Sequence, residues 1–322
     1  MSIPIKALAG LALVIQLGAA QWVQAAEPLL YRITAANVLP GSGHSWGFGA
    51  LEAKRPYLFI ARRENGLTIF DVQKQKAVKT LVNSAGANTV VFVPKHDRAY
   101  VANMDGSVGV IALNSLRVIK RVPVDSGNLN NAVYDAGNDR VIFTSGRRGD
   151  HSTLYFLDPR TDSITGSRDI PALKLDGPIM LGNGNLIVPM RDENQVAVLS
   201  GSDLATLQQW QYPNCSKPSA LAADEAGGRL FIACRGDTPT LIIADLASGA
   251  QQASLPITRA VNTMAYDAKR QQLLIPSGAD ASLSVVERDA AGQYAVSATI
   301  GSRPWAHNMV FDAQRGQAYL LA

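Results

Sequence analysis

Short apolar runs of four or five residues, bounded by Gly, Asp and Pro, recur along the chain. In 215–246 three such runs, at 220–223, 230–233 and 241–244, are separated by an Asp-Glu-Ala-Gly-Gly turn and an Arg-Gly-Asp loop. Runs of this length between turn-forming residues predict strands, and no segment sustains the 3.6-residue apolar period of an amphipathic helix. The middle run of each unit aligns as Leu58-Phe59-Ile60-Ala61, Ala99-Tyr100-Val101-Ala102, Val141-Ile142-Phe143-Thr144, Leu186-Ile187-Val188-Pro189, Leu230-Phe231-Ile232-Ala233, Leu273-Leu274-Ile275-Pro276 and Ala318-Tyr319-Leu320-Leu321. The step between runs is roughly 41 to 45 residues. A period just above forty with several short strands per unit predicts propeller blades.

Each unit offers four strand candidates, a to d. The last unit stops after two, at 308–311 and 318–321, while two strand candidates at 29–33 and 36–39 have no unit of their own. Pairing the chain ends removes unpaired sheet edges. The expectation is therefore an all-β, seven-bladed β-propeller, complete at Ala322, with blades near 45–85, 86–125, 129–171, 174–213, 216–257, 260–301 and 305–322 plus 28–40. This single domain occupies 27–322.

Residues 1–26 stand outside the repeat. Lys6 precedes an apolar stretch at 7–20, and Val23-Gln24-Ala25 supplies small residues for cleavage, the pattern of a secretory signal peptide. The expected location is the periplasm or the secreted space, with no membrane span after cleavage. The two cysteines, Cys215 and Cys234, then suggest a disulfide. Cys215 precedes a strand a and Cys234 follows the strand b paired with it, so both fall at one end of a blade. The formal charge of +4 and pI of 9.1 are mildly basic, without the dense basic cluster of a dedicated nucleic-acid binder.

Arg98-Ala99-Tyr100-Val101-Ala102-Asn103, followed by Gly106-Ser107-Val108, resembles the repeat of the YVTN-repeat (YncE-like) family of exported bacterial seven-bladed β-propellers. Gly301-Ser302-Arg303-Pro304-Trp305-Ala306 is similar to that family's entry to a blade. Thr144-Ser145, Pro189-Met190 and Pro276-Ser277 depart from the consensus ending. The resemblance implies an exported propeller. It also implies that binding of DNA or other macromolecules, or metal-dependent lactonase or lyase chemistry, occurs among related proteins.

Chemistry-bearing residues gather in two sets of loops that share one end of each blade. After strand b come Arg62, Asn103, Arg147, Arg191-Asp192 and Arg235-Gly236-Asp237; near the start of strand a come Trp46, Asn88, Asn130, Asp176, Lys217, Asn262 and His307. Arginines beside carboxylates, with Trp46 near, suit a polar or anionic ligand or protein partner held by forked hydrogen bonds. Four blades carry Arg62, Arg147, Arg191 and Arg235 in what aligns as one slot. Asn130, Asp176, Asn262 and His307 offer the alternative of a divalent cation at the channel mouth, with lactonase or lyase chemistry. The same arginines with Trp46 offer low-specificity nucleic-acid binding. Gly43-His44-Ser45-Trp46-Gly47 matches a hydrolase elbow, but residues 48–51 align with a strand where the elbow needs a helix. No nucleophile with a partnered base emerges, and no cofactor is implied beyond that cation. The expectation is a monomeric, non-catalytic binding module working through this loop face.

Overall fold

The apolar runs form strands because each is apolar at consecutive positions, which suits a sheet packed on both faces. The computed structural model describes residues 31–322. The signal-peptide reading at 1–26 and part of the strand expected at 29–33 lie outside them.

The first blade is β1 (Trp46–Leu51), β2 (Tyr57–Arg62), β3 (Gly66–Asp71) and β4 (Lys76–Thr80). The second is β5 (Ala87–Val93), β6 (Arg98–Asn103), β7 (Ser107–Ala112) and β8 (Arg117–Pro123). The third is β9 (Leu129–Asp135), β10 (Arg140–Ser145), β11 (Ser152–Asp158) and β12 (Ser163–Ile170). The fourth is β13 (Ile179–Met180), β14 (Leu186–Met190), β15 (Gln195–Leu199) and β16 (Thr206–Gln211). The fifth is β17 (Pro218–Asp224), β18 (Arg229–Cys234), β19 (Thr240–Asp245) and β20 (Gln251–Pro256). The sixth is β21 (Ala265–Asp267), β22 (Gln272–Ser277), β23 (Ser282–Arg288) and β24 (Tyr294–Gly301). Last come β25 (Asn308–Asp312) and β26 (Gln317–Leu321). Each group is an antiparallel meander in sequence order.

The fold is an all-β propeller with six four-stranded blades, which corrects the expected count of seven. β25 and β26 form a two-stranded sheet, and 36–39 forms no strand, so no composite blade is built from the described residues. Residues 37–43 are anchored by side chains instead. Asn37 donates to Gln75 Oε1 (2.9 Å), Arg62 donates to Pro40 O, and the Gly43 amide donates to Asn65 Oδ1 (3.1 Å). These contacts leave the backbone of 36–39 unpaired with β26.

Burial follows strand position. β3 and β7 are buried throughout, whereas β4 exposes four of its five residues. Middle strands are thus sandwiched between neighbouring blades, and fourth strands form the outer rim. The cores lie between blades. Phe59, Leu67 and Ile69 of the first blade pack with Val90, Val101 and Ile111 of the second. Phe59 meets Phe92 edge-on at 5.0 Å. Leu321 joins Leu58, Ile60 and Phe70, so the terminal sheet shares a core with the first blade.

The disulfide is present. Cys215 and Cys234 are bonded with a Cα separation of 5.1 Å, and both are buried beside Trp210, Tyr212 and Ile232.

Candidate functional site

Strand register defines two levels at the loop end of the blades. Backbone amides just past strand b donate to carbonyls just before strand a: Arg63 to Ser45, Met104 to Gly86, Gly146 to Asn128, Arg191 to Lys174, Arg235 to Lys217 and Gly278 to Ala260. These pairs form the outer level. Two residues further along the chain from these carbonyls stand Gly47, Asn88, Asn130, Asp176, Ser219 and Asn262, and Asn308 at the start of β25 joins them. They form the inner level.

The inner level is a polar girdle joining neighbouring sheets. Asn88 Nδ2 donates to Leu129 O (3.0 Å) and Asn130 O (2.9 Å), and Asn130 Nδ2 donates to Leu175 O (2.9 Å). Ser219 Oγ donates to Asp176 Oδ2 (2.8 Å). Asn262 Nδ2 donates to Asn308 Oδ1 (2.6 Å), and Asn308 Nδ2 donates to Gly47 O (2.7 Å). Gly47 lets the first and second blades approach closely, since a Cβ there would lie 2.3 Å from Asn88 O. Short amides and hydroxyls suit this level because they satisfy backbone carbonyls on the next blade without filling the channel.

Three of the four residues considered as cation ligands, Asn130, Asp176 and Asn262, therefore have other partners. Asp176 is 4% exposed; its Oδ1 lies 3.5 Å from Lys174 Nζ and its Oδ2 lies 3.4 Å from Arg191 Nη1. Asn262 Oδ1 accepts from Arg235 Nη1 (3.2 Å). Oxygens that a hard cation needs thus face guanidinium and ammonium groups, and this donor set does not fit a divalent cation. His307 sits one residue before the girdle. Burial and the nearby Arg235 and Arg63 lower its pKa. Among the described residues, no group of three or more His, Cys, Asp and Glu is placed to hold a metal.

The outer level is cationic. Arg147, Lys174, Arg191, Asp192 and Lys217 line a cavity of about 390 Å³ spanning the third, fourth and fifth blades. Burial lowers the pKa of Lys174, partly offset by Asp176, and Arg191 and Arg235 lower it further. Burial and Arg191 likewise lower that of Arg235. Asp192 Oδ2 accepts from the Leu173 amide (2.8 Å), which fixes the loop that carries Lys174.

The arginines occupy different places than their sequence alignment suggests. Arg62, still paired within β2, turns to Pro40 and lies 5.0 Å from the Trp46 ring; it ties down the segment before β1. Arg63 instead is the equivalent of Arg191 and Arg235, and it donates to Asn88 Oδ1 (2.9 Å) and Ser45 Oγ (3.1 Å). Asn103 closes its own hairpin by donating to Ser107 Oγ (3.2 Å), and Asp237 is exposed. Ser45 leads directly into β1, so the Gly43–Gly47 motif lacks the helix an elbow needs.

Sequence reasoning misses Lys174, and aligning the strand starts puts Lys217 level with Asp176. The signal for both lysines is a shared tripeptide pattern: Lys174-Leu175-Asp176 and Lys217-Pro218-Ser219 put a cation two residues before the girdle in consecutive blades.

No family model matches the chain, and no curated protein matches it. Solved structures match its fold. A chain of hydrazine synthase from Kuenenia stuttgartiensis is 12% identical with a TM-score of 0.72, covering 88% of this chain and 99% of that one. The WD40 repeats of RRP9 are 9% identical with a TM-score of 0.74, covering 88% and 89%. A chain of the mitotic checkpoint complex is 13% identical with a TM-score of 0.72, covering 98% and 96%. At these identities the likeness is one of fold: the chain is similar to β-propellers of diverse kinds.

Proposed function

We propose that this protein is an exported, non-catalytic binding module that captures anionic ligands, or acidic groups of a partner, at the cationic mouth of its propeller. One observation carries this reading: a cavity lined by Arg147, Lys174, Arg191 and Lys217 against a single carboxylate, Asp192. Guanidinium groups offer forked donors and ammonium groups offer compact charge, which together suit carboxylates and phosphates. The buried disulfide supports an oxidising compartment. The likeness of Tyr100-Val101-Ala102-Asn103 to the YVTN repeat supports an exported protein. WD40-type neighbours support an interaction role.

The test is calorimetric titration of the purified protein with citrate and with poly-L-glutamate. Wild type should bind both, and Arg147→Ala combined with Arg191→Ala should weaken each at least about tenfold while leaving the circular dichroism spectrum unchanged. Absence of binding to either probe, or equal binding by the double variant, overturns the reading.

A further inference from the structure

Adjacent blades carry the same cationic couple in the same register. In the fourth blade Arg191 N donates to Lys174 O at 3.0 Å, and in the fifth Arg235 N donates to Lys217 O at 3.0 Å. Each couple is thus fixed by a backbone ladder rather than by flexible side chains. The two differ at the girdle position beneath. Asp176 sits under the first couple, whereas the second has Ser219, a neutral residue whose hydroxyl donates to Asp176. Among the described residues, Asp176 pairs with the first couple, and Lys217 and Arg235 have no ion pair of their own.

Charge around the cavity can be counted. Arg147, Lys174, Arg191 and Lys217 are four cations; Asp192 in the lining and Asp176 beneath it are two carboxylates. Four less two leaves two positive charges uncompensated. Among the described residues the side chains of Arg147 and Lys217 have no hydrogen-bond or ion-pair partner. Asp176 lies 3.4–3.5 Å from Arg191 and Lys174, a loose contact that leaves most of their donors unused. Lys217 is held at φ 57, a region that disfavours residues bearing a Cβ, by Asn194 Oδ1 accepting its amide at 2.8 Å. Arg191 and Arg235 lie close enough to Lys174 to repel it, which favours an anion beside them.

We infer that this cavity takes a compact phosphate-type dianion, as inorganic phosphate or as the head of a phosphate monoester, held by Arg147, Lys174, Arg191 and Lys217. The inference rests on the reading of the mouth as an anion-binding site and names its ligand chemistry. A monoanion leaves one positive charge uncompensated in a partly desolvated cavity, so dianions are preferred.

The experiment titrates the protein with inorganic phosphate, phenyl phosphate, sulfate, acetate and nitrate at constant ionic strength. The dianions should bind at least about tenfold more tightly than acetate and nitrate. Equal affinity of phosphate and phenyl phosphate assigns the free ion, and tighter phenyl phosphate assigns an ester. An ester phosphate has a second pKa of about 6, so its dianion fraction falls roughly tenfold between pH 8 and pH 5, and its affinity should fall with it. Sulfate stays dianionic over that range and should hold its affinity. The groups facing the cavity are Arg147, Lys174, Arg191, Lys217, Asp176 and Asp192, with Arg235 and His307 beside them. Any titration of these moves sulfate and ester together. Lys174→Gln combined with Lys217→Gln should cost the dianions tenfold or more; Lys217→Gln alone, at an exposed position, should cost part of that without affecting folding. Monoanions binding as well as dianions, or a double variant that binds phosphate unchanged, overturns the inference. Retained citrate and poly-L-glutamate binding without a dianion preference defeats only this inference; failure of every anion defeats the binding reading as well.

Discussion

Asn308 donates through Nδ2 to the carbonyl of Gly47 at 2.7 Å, joining residues 261 positions apart. This bond closes the propeller between the two-stranded terminal sheet and the first blade. Asn308 is 1% exposed, and its Oδ1 also accepts from Asn262, so its amide links three sheets. Removing it strands a buried carbonyl, which typically costs about 1–3 kcal/mol. Asn308→Ala should lower the unfolding free energy by that amount in urea denaturation, and a loss under about 0.5 kcal/mol refutes the closure role.

Strand positions in the interior were legible in the sequence because burial on both faces demands unbroken apolar runs, as in Leu58-Phe59-Ile60-Ala61. The disulfide was legible because paired strands bring Cys215 and Cys234 to one end. The blade count was not. The apolar pattern at 36–39 suits a strand, but side-chain contacts at Asn37, Pro40 and Gly43 hold this stretch out of the sheet. That the two loop sets share one end of the blades was legible; their register was not. A one-residue slip separates Arg62 from Arg63, and since consecutive strand side chains point to opposite faces, it exchanges a buried anchor for a mouth residue. Asn130, Asp176 and Asn262 had the composition of metal ligands, yet their partners on neighbouring blades could be identified only once the blades were assembled.

His307 makes stability fall in mild acid. Burial first, then Arg235 and Arg63, lower its folded pKa below the ordinary value near 6.5. The unfolded chain therefore takes up the proton at higher pH than the folded protein. Well above pH 6.5 both states are neutral and the residue has no pH effect. Below it the unfolded state gains, and stability is lost as pH falls toward the folded pKa. Melting temperatures from pH 8 to pH 5 should drop more steeply for wild type than for His307→Gln; parallel profiles refute the assignment.

The Cys215–Cys234 bond spans a sequence separation of 19 and staples the fifth blade at the end that carries Lys217 and Arg235. A loop of that size restricts the unfolded chain by about 3 kcal/mol. Cys215→Ser combined with Cys234→Ser should lose roughly this amount in denaturant. Because both cysteines are buried, with Cys234 at 0% exposure, reductant alone should leave native wild type unchanged and act only in denaturant. Rapid reduction of the native protein, measured by thiol labelling, contradicts this placement.

Asp176 is the counter-ion of Lys174 and Arg191, and under the proposed reading an incoming anion shares those cations with it. It lies under Lys174 and Arg191, fixed by Ser219, and it neutralises one charge of the mouth whether or not ligand is present. Asp176→Asn keeps the shape and an acceptor for the Ser219 hydroxyl while adding one unit of net positive charge. A unit charge about 6 Å from a bound anion is worth about 3 kcal/mol at an effective dielectric constant of 20. Solvent in the open cavity reduces that, so citrate affinity should rise by about tenfold or more, with a steeper dependence on salt. Stability should move the other way, because Lys174 and Arg191 lose the carboxylate they pair with among the described residues while remaining partly desolvated. Calorimetry and urea denaturation on the one variant read both changes. Tighter citrate binding with lower stability supports Asp176 as a competing internal anion. Weaker binding shows instead that its carboxylate holds Arg191 and Lys174 in the geometry the ligand needs.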